Sequence, residues 1–361
     1  MINETRLLET FLDLVRIDSP SGEEAAIAQE LEKRLSDLGL TVELDAMNNV
    51  VAKLPGQGAP LMLAAHMDTV MPGLGVKPIV KDGIVYSDGT TILGADDKSG
   101  IAVILELLQT IVERELPHPP LEVVITVREE TGLEGAKGLD KDRLQAKMGI
   151  SLDCGHSPGT IVVSAPSHNF VSAVIHGKAA HAGSEPEQGI NAIAVAAQAL
   201  VDMPLGRIDA ETTANIGLIK GGTARNVVPD HVELTGEARS RQLAKLEAQT
   251  ARMVNVLEEA AQRYGATVDV NVTRAYDGYT LTEAAPVVSR LMSACRAVGV
   301  EPALVPSGGG SDVNIYNVHG MQVVNLSTGV YQPHSTEEHV AVADMVTCAE
   351  IVLKFIGNLS Y

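Results

Sequence analysis

Acidic side chains and histidines recur at points where short apolar segments of this chain end. Three segments show the pattern: 61–65 precedes His66, 121–127 precedes Glu129 and Glu130, and 149–152 precedes Asp153. Apolar runs of this length predict strands buried on both faces of a layered α/β sheet. Because ligands gather just beyond the carboxyl ends of strands in such sheets, we expect these side chains to meet at one site.

These residue types are the ones that a hydrolytic site with two metal ions needs. Such a site uses neutral imidazoles, a carboxylate for each metal, one carboxylate between the metals, and one that is free to take a proton. Asp96, in a loop before a helix, and His334, after Pro333, extend the set. The candidate ligands are His66, Asp96, Glu130, Asp153 and His334, with Glu129 as the candidate base. Asp68 can reach the far ring nitrogen of His66 and fix its tautomer.

Each feature has a plainer interpretation when it is taken alone. His66 could end its strand in a polar turn, Asp96 could favour a helix dipole, and His334 could be a surface-loop histidine. Adjacent residues of a strand point to opposite faces, so Glu129 and Glu130 can serve one site only if the chain turns after them. The glycine at position 132 allows that turn. The recurrence of the pattern at three strand ends favours the metal site.

The first third of the chain alternates helical and strand patterns, which predicts an α/β domain with a largely parallel or mixed sheet. Ser21 followed by Glu24 predicts a capping box that begins a helix over 22–38, and Gly39 ends it. Further elements are predicted as a strand at 50–54, a helix at 99–113, a helix at 282–298 and a final helix at 338–356.

Between these parts the pattern changes to βαββαβ, a two-layer α+β unit. Its elements are predicted as a strand at 170–176, a helix at 189–201, strands at 213–219 and 232–238, a helix at 241–264 and a strand at 267–272. Candidate metal ligands stand on both sides of this unit in the sequence. We therefore expect an inserted domain at 167–278 within a catalytic domain formed by 1–166 and 279–361.

Composition excludes some classes of protein. The chain has 361 residues, which predicts two domains, and a formal net charge of −19, which argues against binding to nucleic acid. Its start is acidic and lacks the features of a signal peptide. No apolar run approaches the roughly 20 residues needed to span a bilayer. Three cysteines far apart in sequence do not predict a disulfide framework, which together with these features favours the cytoplasm.

At its motifs the chain resembles the co-catalytic di-zinc peptidases of the aminoacylase and glutamate carboxypeptidase superfamily, in their peptidase T-like (tripeptide aminopeptidase) branch. The matching motifs are HMDT at 66–69, GADDKSG at 94–100, REETG at 128–132, SLDCG at 151–155, GKAAHAG at 177–183, SGGGSDVN at 307–314 and PHSTEE at 333–338. The resemblance covers nearly the whole length. It implies a three-layer catalytic domain and an inserted lid or dimerisation domain.

The resemblance also implies the role of each candidate residue. His66, Asp96 and Asp153 would bind one metal, and Asp96, Glu130 and His334 the other, with the two metals about 3.5 Å apart. Glu129 would be the general base and Asp68 would orient His66. The peptide bond between the two acids of the GADDKSG motif would be cis.

Four residues are candidates for contact with the substrate, and the resemblance implies three of them. His181 would reach the active site of the partner subunit and polarise the scissile carbonyl, and Asn226 and Arg239 would hold the substrate backbone or a carboxylate. Gly309 would let the backbone approach the substrate. The plainer interpretations are a loop histidine, a turn asparagine, a strand-face arginine and a flexible loop.

The sequence thus predicts a cytoplasmic metallo-aminopeptidase that acts on short peptides and forms a homodimer through the inserted domain. Two divalent ions per chain are expected, with Zn²⁺ favoured and Co²⁺ or Mn²⁺ as alternatives. An N-acyl amino acid amidohydrolase or a carboxypeptidase could use the same site. A non-catalytic, metal-stabilised binding protein is the alternative from another class, although it would have no use for the free base Glu129.

Overall fold

The computed structural model describes residues 2–358 and divides the chain into two compact units. The first unit comprises Met1–Val163, Leu281–Pro306 and Ser311–Tyr361, and the second comprises Ser164–Thr280 and Ser307–Gly310. The second unit is thus inserted in the first. Residues Ser307–Gly310, which the sequence assigned to the catalytic domain, group with the second unit.

The helices are numbered in chain order. They are α1 (Glu4–Val15), α2 (Ala25–Asp37), α3 (Ala95–Glu113), α4 (Glu134–Gly138), α5 (Ala192–Asp202), α6 (Leu243–Tyr264), α7 (Pro286–Ala297), α8 (Asp312–Val318) and α9 (Val342–Gly357). The strands are β1 (Thr41–Leu44), β2 (Val50–Leu54), β3 (Leu61–His66), β4 (Ile79–Lys81), β5 (Ile84–Tyr86), β6 (Leu121–Thr126), β7 (Met148–Ser151), β8 (Thr160–Ala165), β9 (Ser167–His176), β10 (Gly206–Arg207), β11 (Thr212–Gly221), β12 (His231–Ser240), β13 (Thr267–Tyr276), β14 (Tyr279–Thr280), β15 (Ala303–Pro306), β16 (Gln322–Leu326), β17 (Val330–Tyr331) and β18 (His339–Ala341).

The main sheet, whose strands lie mostly in the first unit, has a parallel centre. Its strand order is β1-β2-β6-β3-β7-β16-β8-β14, with β15 paired to β8. Strands β6, β3, β7 and β16 are parallel, whereas β2 and β8 join this group in antiparallel orientation. Every residue of β3 and β6 is buried, and since alternate side chains point to opposite faces, both faces of the sheet are covered. The predicted fold class is confirmed.

Helix α3 lies within the core of the first unit, where it packs against β3, α1 and α9. Helix α1, which the sequence analysis did not predict, begins at a side-chain cap: Asn3 accepts a hydrogen bond from the Arg6 backbone N–H. Its apolar face buries Leu7, Phe11 and Leu14. A separate four-stranded sheet, β17-β18-β5-β4, was also not predicted, because its strands are only two or three residues long.

Several helices begin later than predicted. Helix α2 begins at Ala25 and its N-cap residue makes no side-chain cap hydrogen bond, so the capping box predicted at Ser21 and Glu24 is wrong. Helix α7 begins at Pro286, whose fixed φ suits a first helical position. Helix α9 begins only after strand β18, which takes residues that the sequence had assigned to the helix.

The second unit is an antiparallel sheet with the order β10-β11-β12-β9-β13, packed against α5 and α6. Strand β12 alternates regularly: Val232 and Leu234 are buried and Glu233 and Thr235 are exposed. The hydrophobic core of the second unit includes Met253 and other apolar residues of α5 and α6. The predicted βαββαβ order is confirmed, with the short strand β10 added to it. Among residues 2–358, none of the helices combines the length and apolar character needed to cross a membrane.

Candidate functional site

The five candidate metal ligands lie beyond the carboxyl ends of the parallel strands of the first unit. His66 is the last residue of β3, and Glu130 and Asp153 follow β6 and β7. Asp96 stands in the first turn of α3, and His334 lies between β17 and β18. Together with Glu129, these residues form three overlapping groups whose possible ligand atoms lie within 4.8 Å of one another: His66, Asp96 and Asp153; His66, Glu129 and Glu130; and Asp96, Glu130 and His334.

Asp96 lies between the two histidines and offers a different oxygen to each. Its Oδ1 is 3.1 Å from Nε2 of His66, and its Oδ2 is 3.3 Å from Nε2 of His334. The same His334 nitrogen is 2.8 Å from Oε1 of Glu130, and the His66 nitrogen is 4.0 Å from Oδ1 of Asp153. A carboxylate in this position can be shared by two metal ions, one in each group.

The chain kinks at the start of α3, where the peptide bond between Asp96 and Asp97 is cis, as the resemblance implied. The carboxylate of Asp97 turns inward. Its Oδ2 accepts the backbone N–H of His66 at 3.2 Å and its Oδ1 accepts that of Gly100 at 3.2 Å. Asp97 therefore fixes the backbone of one candidate ligand while its neighbour Asp96 faces the centre. This role of Asp97 was not predicted from the sequence.

Burial dominates the electrostatics of the carboxylates. It raises the pKa of Glu129 well above its ordinary value, and the nearby charge of Asp153 adds to the rise. Burial also raises the pKa of Asp153 itself. Burial acts to raise the pKa of Asp96 too, but hydrogen bonds with His334 and His66 outweigh it and lower that pKa. Hydrogen bonds with Asp96 and Glu130 in turn raise the pKa of His334 to about 10.

This donor set fits divalent cations. The groups combine imidazole nitrogens with carboxylate oxygens, which Zn²⁺ and related ions accept together. Crowded, buried carboxylates also gain stability from a nearby positive charge. The residues present therefore fit the pair of ions that the sequence predicted.

Asp68 lies at the centre of the hydrogen bonds behind these ligands. Its Oδ1 accepts the backbone N–H of Glu129 at 2.9 Å, and its Oδ2 accepts that of Glu130 at 3.2 Å. Nδ1 of His66 is 3.4 Å from Oδ1 of Asp68 and 3.1 Å from the backbone oxygen of the same residue. Asp68 thus lies where it can orient His66, as predicted, and it also holds the turn that carries both glutamates.

Glu338 is a further residue that the sequence analysis did not assign. Its side chain is buried, and Oε2 accepts the backbone N–H groups of Leu93 and Gly94, both at 2.8 Å. Burial raises the pKa of Glu338 to about 7. The only signal in the sequence is its place four residues after His334 in the PHSTEE motif.

In the second unit, His181 is exposed and its ring orientation is fixed by its own loop. Nδ1 accepts the backbone N–H groups of Gly183 at 3.1 Å and Ser184 at 3.0 Å. A neutral ring with these bonds carries its proton on Nε2, which then points a donor away from the loop. The neighbouring loop contributes Asn226, whose backbone oxygen accepts the N–H of Ala182 at 3.0 Å and whose side chain is exposed.

Arg239 is half-buried on β12 and is held by Glu237. Its Nε and Nη2 donate to the two carboxylate oxygens of Glu237, each at 2.9 Å. His168 adds to the cluster, with Nε2 at 3.1 Å from Oε2 of Glu237. One edge of the guanidinium is therefore occupied, and the edge that carries Nη1 is the one left for a ligand.

The glycine run after Pro306 also belongs to the second unit. The N–H of Gly309 donates to the Ser307 hydroxyl at 3.0 Å, and a Cβ at position 309 would lie 3.9 Å from Nη1 of Arg239. The strict need for glycine is at Gly310, where a Cβ would lie 2.3 Å from the ring of Tyr276. Packing explains that residue, and the approach of substrate to Gly309 stays a prediction.

Comparison with known proteins agrees with this geometry. Residues 62–358 match the model of peptidase family M20/M25/M40. Aminopeptidase PepT from Bacillus cereus is similar with a TM-score of 0.92 and 44% identity, over 100% of both chains. A tripeptidase from Staphylococcus aureus has a TM-score of 0.96 and 43% identity, over 100% of this chain and 99% of the other. The uncharacterized protein YqjE of Bacillus subtilis (strain 168) is 44% identical over 99% of each chain. The resemblance to the peptidase T-like branch is confirmed, and the chain belongs to peptidase family M20/M25/M40.

Proposed function

We propose that this chain is a metal-dependent aminopeptidase that removes the amino-terminal residue from short peptides. The observation that carries the proposal is the position of Glu129, a buried carboxylate within 4.8 Å of ligand atoms of His66 and Glu130. Neither of the two groups that share Asp96 needs Glu129 to complete it. Membership of the peptidase family supports hydrolysis of peptides, and the likeness to an aminopeptidase and a tripeptidase supports the amino-terminal specificity.

Two groups of side chains would hold the metal ions. His66, Asp96 and Asp153 form one, and Asp96, Glu130 and His334 form the other. When bound, a pair of divalent ions supplies Lewis-acid polarisation of the scissile carbonyl and of the attacking water. We propose Zn²⁺ for both positions, and Co²⁺ and Mn²⁺ accept the same donors.

Glu129 carries the proton in this proposal. Its carboxylate accepts a proton from the attacking water and then donates it to the nitrogen of the leaving amine, so the enzyme gains no proton over the cycle. Burial raises the pKa of Glu129, which helps the side chain to hold the proton between the two steps. The hydrogen bond from the backbone N–H of Glu129 to Asp68 fixes the backbone from which the Glu129 side chain projects.

We assign substrate contacts to the second unit. His181 would donate from Nε2 to the oxygen of the scissile carbonyl, because its Nδ1 is already an acceptor within its own loop. Arg239 would bind a backbone carbonyl or the terminal carboxylate through the edge that carries Nη1. Asn226 and Gly309 would contact the substrate backbone.

We propose that the second unit forms a symmetric homodimer along β11. Strand β10 pairs with only two residues of β11, and in the described part of the chain the 216–221 stretch of that strand has β12 as its one sheet neighbour. Leu218 and Ile219 on this stretch are 68% and 56% exposed. An unpaired edge with exposed apolar side chains is suited to pairing with the same edge of a second copy.

A cytoplasmic location is part of the proposal. All three cysteines (Cys154, Cys295 and Cys348) are free, which suits a reducing compartment.

Burial raises the pKa of Cys154 to about 12, so its thiol is unsuited to bind a metal beside Asp153.

The test is a substrate panel for the metal-loaded protein. Free tripeptides, their N-acetylated forms, their amidated forms and N-acetyl amino acids would be incubated with the enzyme, and the products identified by mass spectrometry. We expect release of the amino-terminal residue from free tripeptides and resistance of the N-acetylated forms. Faster hydrolysis of N-acetyl amino acids would identify an amidohydrolase, and release of the carboxy-terminal residue a carboxypeptidase. No hydrolysis of any substrate with full metal content would indicate a binding protein.

A further inference from the structure

A short segment before α2 runs along the ends of β3 and β6. Ser19 contacts the loop after β3 through both its side chain and its backbone: its hydroxyl donates to the backbone oxygen of Met67 at 2.8 Å. Its backbone oxygen accepts the N–H of Thr69 at 2.9 Å and the Thr69 hydroxyl at 3.3 Å. Pro20 and Thr69 form an isolated parallel β-bridge. The segment is therefore fixed beside the loop that follows His66, although the sequence predicted only a helix cap in this place.

The two side chains of the predicted cap point at this loop and at the turn after β6. The Ser21 hydroxyl donates to Oδ2 of Asp68 at 2.6 Å. Oε1 of Glu24 accepts the backbone N–H of Gly22 at 2.7 Å and that of Arg128 at 3.1 Å. Glu24 is only 6% exposed, so this carboxylate is part of the interior.

As a result, three successive backbone N–H groups are bound by carboxylate oxygens. Arg128 donates to Glu24, and Glu129 and Glu130 donate to the two oxygens of Asp68. Arg128 has a φ of +51°, a conformation that a residue with a side chain rarely adopts. The turn that presents both glutamates thus depends on bonds from outside its own sequence.

We propose that Ser21 and Glu24 are positioning residues that set the geometry of the general base and of one metal ligand. Glu24 holds the turn at Arg128, and Ser21 fixes the Asp68 carboxylate that binds the next two N–H groups. Loss of either bond would let the Glu129 and Glu130 side chains leave the positions that the centre needs. The inference rests on the proposed function for its kinetic readout, and its metal-binding readout is independent of the substrate.

The experiment compares matched substitutions in the full-length protein. Glu24→Ala and Ser21→Ala remove the acceptor and the donor, whereas Glu24→Gln and Ser21→Thr keep an oxygen in each place. Glu23→Ala, at the exposed neighbour of Glu24, is the control. Metal content, Zn²⁺ affinity by competition with a chromophoric chelator, Tm, kcat and KM for a tripeptide would be measured.

We expect each alanine variant to lose about 10–100-fold in kcat or in Zn²⁺ affinity, as is usual for groups that support metal ligands, with little change in KM. The conservative variants and Glu23→Ala should stay near the wild type. If Ser21 acts through the base, Ser21→Ala should cost much less kcat when Glu129 is already replaced by Gln.

Alanine variants equal to the wild type in both kcat and Zn²⁺ affinity would overturn the proposal. So would equal damage from Glu24→Ala and Glu24→Gln. If Glu24→Ala does not yield folded protein, Glu24→Asp takes its place, because it keeps the charge but shortens the reach by one methylene. If even the wild type cleaves no peptide, the proposed function fails, and the Zn²⁺ affinities of the variants still decide this inference.

Discussion

Oε1 of Glu338 accepts the backbone N–H of Asp96 at 2.9 Å, across 242 residues of sequence. Asp96 is the residue that faces both histidines of the proposed metal centre. The same carboxylate binds the N–H groups of Leu93 and Gly94 through its other oxygen. Glu338 therefore fixes the loop that carries Asp96, the proposed shared ligand, and its contribution should be visible in metal binding.

Replacement of Glu338 by Gln should weaken metal binding. An amide group has one acceptor oxygen where the carboxylate has two, so at least one backbone N–H of the loop would face a donor. We expect Zn²⁺ affinity to fall by about 10–100-fold. Competition with a chelator measures the change, and Glu337→Gln, at the exposed neighbouring position, is the control. Unchanged affinity would mean that the loop holds its conformation without this carboxylate.

The adjacent glutamates should give opposite phenotypes. Glu129→Gln should keep both metals and the fold but lower kcat by about 10²–10⁴-fold, the usual effect of losing a general base. Glu130→Gln should lower metal content, because Glu130 lies 2.8 Å from His334 within one ligand group. Elemental analysis and steady-state kinetics on both variants check this. The reverse pattern would exchange the two roles, an arrangement that the group of His66, Glu129 and Glu130 permits.

Metal loading should release protons and should weaken as the pH falls. Hydrogen bonds with Asp96 and Glu130 raise the pKa of His334 to about 10 in the protein without metal, so its ring is protonated at neutral pH. A metal ion binds the neutral ring, so the proton must leave. Calorimetry in buffers of different ionisation enthalpy gives the number of protons released on metal binding. Elemental analysis should give two metal ions per chain at saturation. His334→Ala should release fewer protons than the wild type, and no release from the wild type would contradict the assignment.

The strands could be predicted, and the candidate ligands at their ends could be identified, because these signals are local. The apolar run 61–65 is followed at once by His66, and the run 121–127 is followed after one residue by Glu129 and Glu130, so sequence position alone indicates these candidates. The βαββαβ order of the second unit could be predicted from the sequence for the same reason. Its strands alternate and its helices repeat with a clear period.

The supporting residues could not be predicted, because their partners are distant in sequence. Ser21 and Glu24 fit a capping box locally, and only the fold shows that they bind Asp68 and the Arg128 N–H instead. The local sequence predicts that Glu338 begins a helix, but in the fold its carboxylate accepts the backbone N–H of Asp96 instead. In both cases the local helix-forming pattern is overridden, because buried backbone N–H groups elsewhere in the fold require these carboxylates or hydroxyls as hydrogen-bond partners or supports.

Arg239 should contribute to substrate binding with help from Glu237. Arg239→Ala should lower kcat/KM by about 10–100-fold, the loss expected for a hydrogen bond to a charged group. Glu237→Gln should have a smaller effect of the same kind, since it weakens the contact that fixes the guanidinium. Tripeptide kinetics measure both, with Arg252→Ala, at an exposed position on α6, as the control. Wild-type kinetics in Arg239→Ala would remove Arg239 from the substrate site.

His181 should act on the active site of the partner subunit. Nδ1 is engaged within its own loop, so the Nε2 donor is available to a substrate, and the β11 edge offers a route to a symmetric dimer. His181→Ala and Glu129→Gln should each be nearly inactive as homodimers. After subunit exchange, an equal mixture should recover about a quarter of wild-type activity, because half of the dimers are hybrids with one intact site of two. A mixture of Glu129→Gln with Glu130→Gln is the control. It should recover no activity, because every active site keeps one inactivating substitution. An active monomer, or no recovery after exchange is verified by mass spectrometry, would show that His181 does not act in trans.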